Sequence, residues 1–358
     1  MTTTPEQAGT AGVRGGCRLR VREVVVETAD ARSVVLEVPP EHAERFRYAP
    51  GQFLTVRVPG SGGRTAARCY SLAGVPGLDE HLTVTVKRVA GGAVSNWICD
   101  NLRPGHELEA LPPAGRFTPA SLDADLLLFA GGSGITPIMS IARSVLERGS
   151  GTVVLCYANR DEQSVIFADR LRELAARYPG RMVLRHLLES AEGLPTVARL
   201  RDLAEPHRDR EAAFVCGPAP FMAAVVAALA EAGVPADRVV LERYLSLSSD
   251  PFAEPAEAQE IDAAADPTAR LVVTIDGGRH ELDWPRSTLL LDLLREAGLD
   301  APYSCREGAC SACSCRLRSG AVAMAHNEVL EQEDLDDGWV LACQSRPVSD
   351  EVEVTYDD

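Results

Sequence analysis

The chain has 358 residues, 46% hydrophobic and 25% charged, which exceeds one ordinary core and predicts two or three soluble globular domains rather than a disordered polymer. The net charge of −16 argues against nucleic acid as a partner, and its distribution is uneven: 8 basic and 18 acidic residues lie from Arg270 onward, six acidic and no basic residues lie in 249–269, and the first 248 residues balance at 28 of each sign. An acidic C-terminal module suits steering toward a basic protein surface, with solubility alone as the plainer explanation.

Residues 1–17 are small and polar and read as a flexible tail, with neither a basic n-region nor an apolar h-region of a secretory signal. The expected location is cytoplasmic, where ten cysteines point to metal-binding or redox chemistry instead of disulfides. The longest uncharged run, Leu126 to Ala142, contains Gly131, Gly132, Gly134 and Pro137, so no membrane span is expected.

Residues 18–120 carry short β-rich runs, LRVREVVVE, SVVLEV, FLTVRV and LTVTVKRV, broken by PG and GG turns, which predict an antiparallel barrel or sandwich. Across 121–247 strand-like DLLLFA, TVVLCYA, MVLRHLL, AAFVCG and RVVLERY alternate with helical IMSIARSVLERG, VIFADRLRELAARYPG and PFMAAVVAALAEAG, the rhythm of a doubly wound parallel α/β sheet. Residues 248–268, rich in Pro, Ala and acid, read as an extended linker. In 269–358, LVVTIDGGRHELDW predicts a hairpin turning at Asp276, Gly277 and Gly278, and Ser287 is the expected cap of a helix, STLLLDLLREAG, that stops at Gly298. Together these make a compact α+β unit.

Within that unit YSCREGACSACSCRLRSG holds Cys305, Cys310 and Cys313 in C-x4-C-x2-C spacing, with Cys343 in LACQSRP as a distant fourth, the plant-type [2Fe–2S] pattern. The small residues Gly308, Ala309, Ser311 and Ala312 suit a loop whose N–H groups face sulfur. A zinc site is the alternative, but it calls for two C-x2-C pairs and only Cys310 and Cys313 form one. Cys315 is surplus: in a strand it shares a face with Leu317, which predicts packing.

In ARCYSLAG, Arg68, Tyr70 and Ser71 offer a cation for phosphate, a flat surface and a hydrogen-bonding hydroxyl, as a flavin requires; a buried strand tyrosine beside a surface arginine is the plainer alternative. Gly91 and Gly92, then Ala93, Val94 and Ser95, place backbone donors at a helix start, where a pyrophosphate binds. LLLFAGGSGITPIMSI reads strand, glycine turn, helix, so Gly132 and Gly134 let a dinucleotide approach, although the run is not GxGxxG. FVCGPAPFM puts Cys216, Gly217 and Pro218 at a strand's C-terminal end, the ligand-binding edge of such sheets.

The C-terminal module resembles plant-type ferredoxins through CREGACSAC and LACQS, which implies a β-grasp fold and one-electron transfer; Ser311 stands where glycine is common in relatives. Residues 18–247 resemble the ferredoxin–NADP reductase superfamily through RCYS, GGAVSNW, GGSGITP, YANRD with VIF, and CGPAPFM with LERY. That resemblance implies FAD held by Arg68, Cys69, Tyr70, Ser71, Val86, Lys87, Gly92, Ala93, Val94, Ser95, Thr136 and Tyr244. It implies a nicotinamide nucleotide at Gly132, Gly134, Thr136, Pro137, Asn159, Arg160, Cys216, Gly217 and Pro218, with Ser71 and Cys216 at the hydride-transfer centre. Tyr244 covers the flavin or the nicotinamide pocket, or packs the sheet end.

The whole chain is similar to the reductase components of Rieske-type oxygenases. CYSLAG, GGAVSNWICDNL, LPPAGRFTP and YANRDEQSVIFADRL bring it nearest to the branches serving steroid hydroxylation and phenylacetyl-CoA epoxidation, with other aromatic or alkyl oxygenases as the alternative. The implied function is electron transfer from NADH through FAD and a [2Fe–2S] cluster to a terminal Rieske-type oxygenase. That direction is downhill, since plant-type clusters sit near roughly −400 mV and Rieske centres at about −150 to +300 mV. NADPH in place of NADH, and FMN in place of FAD, are the cofactor alternatives; a flavin and iron–sulfur redox sensor and a zinc-stapled interaction module are the functional ones.

Overall fold

The computed structural model describes residues 16–59, 65–244, 247, 250–252 and 267–357. The first fifteen residues of the expected tail and most of the expected linker lie outside the described residues.

The first domain contains β1 (Cys17–Thr28), β2 (Ala31–Glu37), β3 (Phe53–Pro59), β4 (Thr65–Ser71), β5 (Leu82–Lys87), α1 (Ala93–Asn101) and β6 (Glu107–Ala110). The strands form one antiparallel sheet in the order β4-β3-β6-β1-β2-β5. A bridge between Leu72 and Val84 joins the two edges and closes the barrel. β1 shows why the sequence builds it: Cys17, Leu19 and Val21 are buried while Arg18, Arg20 and Arg22 are exposed, until a bulge between Val21 and Glu23 ends the alternation. β1 therefore starts at Cys17, inside the expected tail. Val94, Ile98 and Cys99 of α1 pack on the barrel core beside Leu19, Val34, Leu54 and Val56.

The second domain contains β7 (Leu126–Gly131), α2 (Ile135–Arg148), β8 (Val153–Asn159), α3 (Ala168–Arg177), β9 (Met182–Leu188), α4 (Glu189–Glu192), α5 (Val197–Ala204), β10 (Ala212–Cys216), α6 (Ala219–Glu231) and β11 (Val239–Glu242). The strands are parallel in the order β11-β10-β7-β8-β9. Every residue of β7 is buried, as a central parallel strand covered on both faces demands. The Arg181 guanidinium ends α2 by donating to the carbonyls of Val145, Gly149 and Gly151 at 3.0, 2.9 and 2.8 Å. The expected helix over VIFADRLRELAARYPG is shorter than its sequence run: Phe167 is left-handed at φ 63, so α3 begins only at Ala168.

The third domain contains β12 (Thr268–Ile275), β13 (Gly278–Pro285), α7 (Leu290–Glu296), β14 (Ser314–Ser319), β15 (Val322–Met324), α8 (Gln332–Asp336), β16 (Trp339–Leu341), β17 (Ser345–Pro347) and β18 (Glu351–Thr355). Its main sheet runs β13-β12-β18-β14-β16, with β12 and β18 parallel. Leu290, Leu291 and Leu294 of α7 share the core of this β-grasp sheet. The hairpin turns where expected: Asp276 and Gly277 take φ 52 and 71, and the Asp357 carboxylate accepts from both N–H groups at 2.9 and 2.8 Å. Gly298, at φ 80, ends α7 as expected. Ser287 does not cap that helix. Its carbonyl accepts from Arg346, Thr288 N–H turns back to Pro285, and α7 starts two residues later, at the Leu289 cap.

Candidate functional site

The order of the parallel sheet reverses between β7 and β10, where doubly wound sheets bind ligands beyond their C-terminal strand ends. Gly131 ends β7 with Gly132 just after it, and Cys216 ends β10, followed by Gly217 and Pro218. The expected glycines have different reasons for being there. Gly132 takes φ 53, with only the Lys87 ammonium tip near the place a Cβ would occupy. At Gly134 a Cβ would stand 2.2 Å from the Cys216 carbonyl oxygen, so this glycine packs the two strand ends together and is not kept open for a ligand. Thr136 and Pro137 are buried in the first turn of α2. Asn159 is 8% exposed at the end of β8, and among the described residues neither end of its amide has a hydrogen-bond partner. Arg160 turns to the Asp30 carboxylate at 3.3 Å, which Lys87 also approaches at 3.9 Å.

One hydroxyl gathers the flavin and nicotinamide candidates. Tyr244 Oη lies 2.9 Å from Thr136 Oγ1 and 3.3 Å from Ser71 Oγ. Thr136 donates in turn to the Ser133 carbonyl at 3.1 Å. Tyr244 is 43% exposed although its hydroxyl is enclosed, because the ring faces an open cleft. That enclosure pushes the phenol well above its ordinary pKa, and burial likewise raises Cys216, the 0%-exposed residue beneath it. The cleft is lined by Phe53, Cys69, Ser71, Glu242, Tyr244 and Cys310, among others.

Arg68 reaches back over β4 and donates to the carbonyls of Ala67 and Leu247 at 2.6 and 3.1 Å; among the described residues it has no carboxylate partner. Tyr70 packs against the barrel core, Val86 is fully buried, and Gly92 to Ser95 form the start of α1. The Ser95 hydroxyl closes that loop by accepting from Val89 N–H at 3.1 Å.

The cysteine loop presents N–H groups to sulfur, as a cluster requires. Cys305 Sγ accepts from Glu307 and Ala309 N–H at 3.3 Å each, Cys310 Sγ from Cys305 N–H at 3.3 Å, and Cys313 Sγ from Cys343 N–H at 3.4 Å. Gln344 Nε2 stands 3.6 Å from Cys343 Sγ. Arg306, Gly308 and Ser311 take φ 59, 77 and 52, which turns the chain around the sulfurs and gives the reason glycine suits position 311. The neighbouring Cys310 and Cys343 thiols, then the N–H donors, hold Cys305 well below the usual thiol range. These donors suit thiolates spread around a two-iron core.

Cys315 lies on β14 opposite Val340, fully buried in the ferredoxin core with Leu317 partly buried against it, and burial raises its pKa. Cys315→Ser is therefore expected to keep the full iron content and visible spectrum, since a hydroxyl there has the buried Tyr356 hydroxyl beside it as a partner. Iron loss at unchanged folding would place Cys315 among the ligands.

Two residues at the site carried no separate sequence signal. Glu242 pairs with Cys216 across β10 and β11, and burial in the cleft pushes its carboxyl up to about 8. It stands inside LERY, two positions before Tyr244, and both line the cleft. Ser304, adjacent to Cys305, meets the barrel.

The oxidoreductase FAD-binding domain family matches residues 17–118, the oxidoreductase NAD-binding domain family 128–227, and the 2Fe-2S iron-sulfur cluster binding domain family 273–348. The 3-ketosteroid-9-alpha-monooxygenase ferredoxin reductase component of Mycobacterium tuberculosis is 55% identical over 347 residues, 95% of this chain and 96% of that one. One of the subunits of the 1,2-phenylacetyl-CoA epoxidase of Escherichia coli is 32% identical over 95% and 97% of the two chains. Among solved structures, phthalate dioxygenase reductase matches 95% of this chain and 98% of its own with a TM-score of 0.57 at 24% identity, a likeness of fold. No helix among the described residues is long and apolar enough to cross a membrane.

Proposed function

We propose, for a chain that belongs to the family of oxygenase reductases with FAD-binding, NAD-binding and [2Fe–2S] domains, that it carries electrons from NADH to a cytoplasmic Rieske-type oxygenase hydroxylating a 3-ketosteroid. The observation that carries this reading is the cleft in which Ser71 and Tyr244 face Cys310 of the cluster loop, so that hydride entry and one-electron exit meet at one place. Identity of 55% to a steroid monooxygenase reductase over nearly the whole chain favours the steroid over the acyl-CoA branch. Ten cysteines, none in a disulfide, suit a reducing compartment.

FAD, when bound, accepts two electrons with a hydride from NADH and releases them singly, which lets a [2Fe–2S] cluster take them one at a time. Residues 18–120 hold it: Arg68 meets phosphate, the N–H groups from Gly92 to Ser95 meet the pyrophosphate, and Tyr70, Cys69, Val86 and Lys87 border the ring system and its chain. Ser71 supplies the hydroxyl nearest the reacting ring. Residues 121–247 hold the nucleotide between Gly132, Pro137, Asn159 and Arg160 on one side and Gly217 and Pro218 on the other, with Gly134 packing the two strand ends together. Thr136 and Cys216 orient the nicotinamide, and Tyr244 covers the place where it enters. Residues 269–358 hold the cluster through Cys305, Cys310, Cys313 and Cys343.

NADH is favoured over NADPH by Arg160, whose charge is met by Asp30 instead of standing free for a ribose phosphate. In anaerobic stopped-flow mixing, flavin bleaching is expected to be several-fold faster with NADH; faster bleaching with NADPH contradicts the assignment.

Glu242 adds a pH dependence. With its carboxyl at about 8 it is neutral at pH 7, and reduction adds negative charge to the cleft it lines. Ionisation through pH 8 therefore opposes reduction. NADH-driven flavin bleaching is expected to fall above that pH and to stay level in Glu242→Gln. The sign for stability is the same. The folded pKa exceeds the unfolded value of about 4.3, so the apoprotein loses stability as pH rises between those values, and Glu242→Gln removes that slope. An unchanged alkaline limb in the variant would assign the titration to another group.

A further inference from the structure

At the seam between barrel and ferredoxin, Thr55 Oγ1 lies 2.5 Å from Ser304 Oγ, and Cys69 Sγ stands 3.5 Å from each of them. Thr55 and Ser304 are each 1% exposed, and Thr55 faces Cys69 directly across β3 and β4. The seam around them is apolar, with Phe53, Ala114 and Ala312 on one side and Ala67, Leu247 and Cys305 on the other. Buried hydroxyls in such a setting are costly unless each finds a partner, and these find partners only when the domains meet in one register. The charged contacts between the two domains are wetter. Arg45 meets Asp300 at 3.4 Å, the Asp300 side chain being 70% exposed, and Arg116 lies over the Trp339 ring and 3.9 Å from Asp334. The directional element at the centre is the hydroxyl pair.

Its covalent neighbours sit on both sides of the electron path. Cys69 precedes Ser71 by two residues on β4, so both line the cleft, and Ser304 immediately precedes Cys305. We propose that Thr55, Ser304 and Cys69 are positioning residues, a latch that seats the cluster loop against the flavin cleft and so sets the rate of electron crossing between them. The proposal rests on the electron path described above. Each crossing moves one electron, oxidising the flavin and reducing one iron of the cluster, the pair having come from NADH. The three side chains neither bind nor transform NADH; they fix a distance.

The test uses the full-length holoprotein with Ser304→Ala, Thr55→Val and Thr55→Ser. NADH bleaching of the flavin is expected at the wild-type rate in all three. Appearance of the reduced-cluster EPR signal after mixing is expected to slow about tenfold or more in Ser304→Ala and Thr55→Val, since small misplacements of reacting groups cost large factors, and to recover in Thr55→Ser, which keeps the hydroxyl. Hydrogen exchange of amides in 53–59 and 303–310 is expected to quicken in the first two variants only, with or without cofactors loaded. Thr55→Val leaves the cluster loop's own sequence intact, so the test survives if Ser304→Ala loads iron poorly. Cluster reduction at the wild-type rate in Thr55→Val overturns the latch, as does faster exchange with unchanged transfer, which would mark a purely structural contact. Absence of flavin or cluster bands from the wild-type protein would instead overturn the proposed function.

Discussion

Cys343→Ser is expected to remove the iron–sulfur absorption and to lower NADH-dependent reduction of one-electron protein acceptors by more than about a hundredfold, beyond the loss usual for an outer partner of a metal site. NADH-to-ferricyanide turnover is expected to persist. The separation follows from position. Cys343 is 2% exposed, its N–H is bonded to Cys313 Sγ, and it closes the cluster pocket from a segment thirty residues beyond the cysteine loop. Ser71, Thr136 and Tyr244 meet on the far side of the cleft and do not touch it. Iron per chain, the visible spectrum and the two acceptor assays decide the matter. Retained iron and retained protein-acceptor activity would show that the fourth ligand is elsewhere.

Gly134→Ala carries the second large effect. The added methyl would stand 2.2 Å from the Cys216 carbonyl oxygen and 2.4 Å from its carbon, both backbone atoms, so the β7 and β10 ends must separate. The cost is about 1–3 kcal/mol of overpacking. The kinetic loss is larger, because Thr136 and Cys216 flank the same place from these two segments and move apart together. NADH-driven bleaching is expected to fall about a hundredfold, while bound FAD and its photoreduction remain. Gly132→Ala is the control: it incurs a left-handed backbone cost of about 1–2 kcal/mol, but meets only the flexible Lys87 tip. Equal losses in both variants would mean that the backbone turn, and not the contact between strand ends, governs the site.

These particulars show what sequence carries and what it does not. Period-two alternation in β1, the uninterrupted apolar β7 and the Asp276–Gly277 turn are local patterns, and the fold reproduces them. The C-x4-C-x2-C spacing points to the cluster ligands for the same reason, since N–H to sulfur geometry is set within a few residues. The helix boundaries at Phe167 and Ser287 differ from the sequence pattern because a left-handed residue and a competing turn are decided by surrounding packing. Gly134 reads locally as room for a ligand, whereas its constraint is a carbonyl eighty-two positions away. LERY points to Tyr244, but its joining of Ser71 to Thr136, the burial of Glu242 in the cleft and the Thr55–Ser304 pair come from contacts distant in the chain, for which it has no local signature.

Electrons entering as hydride are expected to leave through the cluster to a steroid-hydroxylating oxygenase. The most direct measurement mixes the purified protein, a purified 3-ketosteroid-hydroxylating Rieske oxygenase, NADH, oxygen and the ketosteroid, and counts hydroxylated product against NADH consumed. Near-equal amounts, abolished by Cys343→Ser, are the predicted result. NADH consumption without hydroxylated steroid, under conditions where the oxygenase turns over with its own reductase, would contradict it.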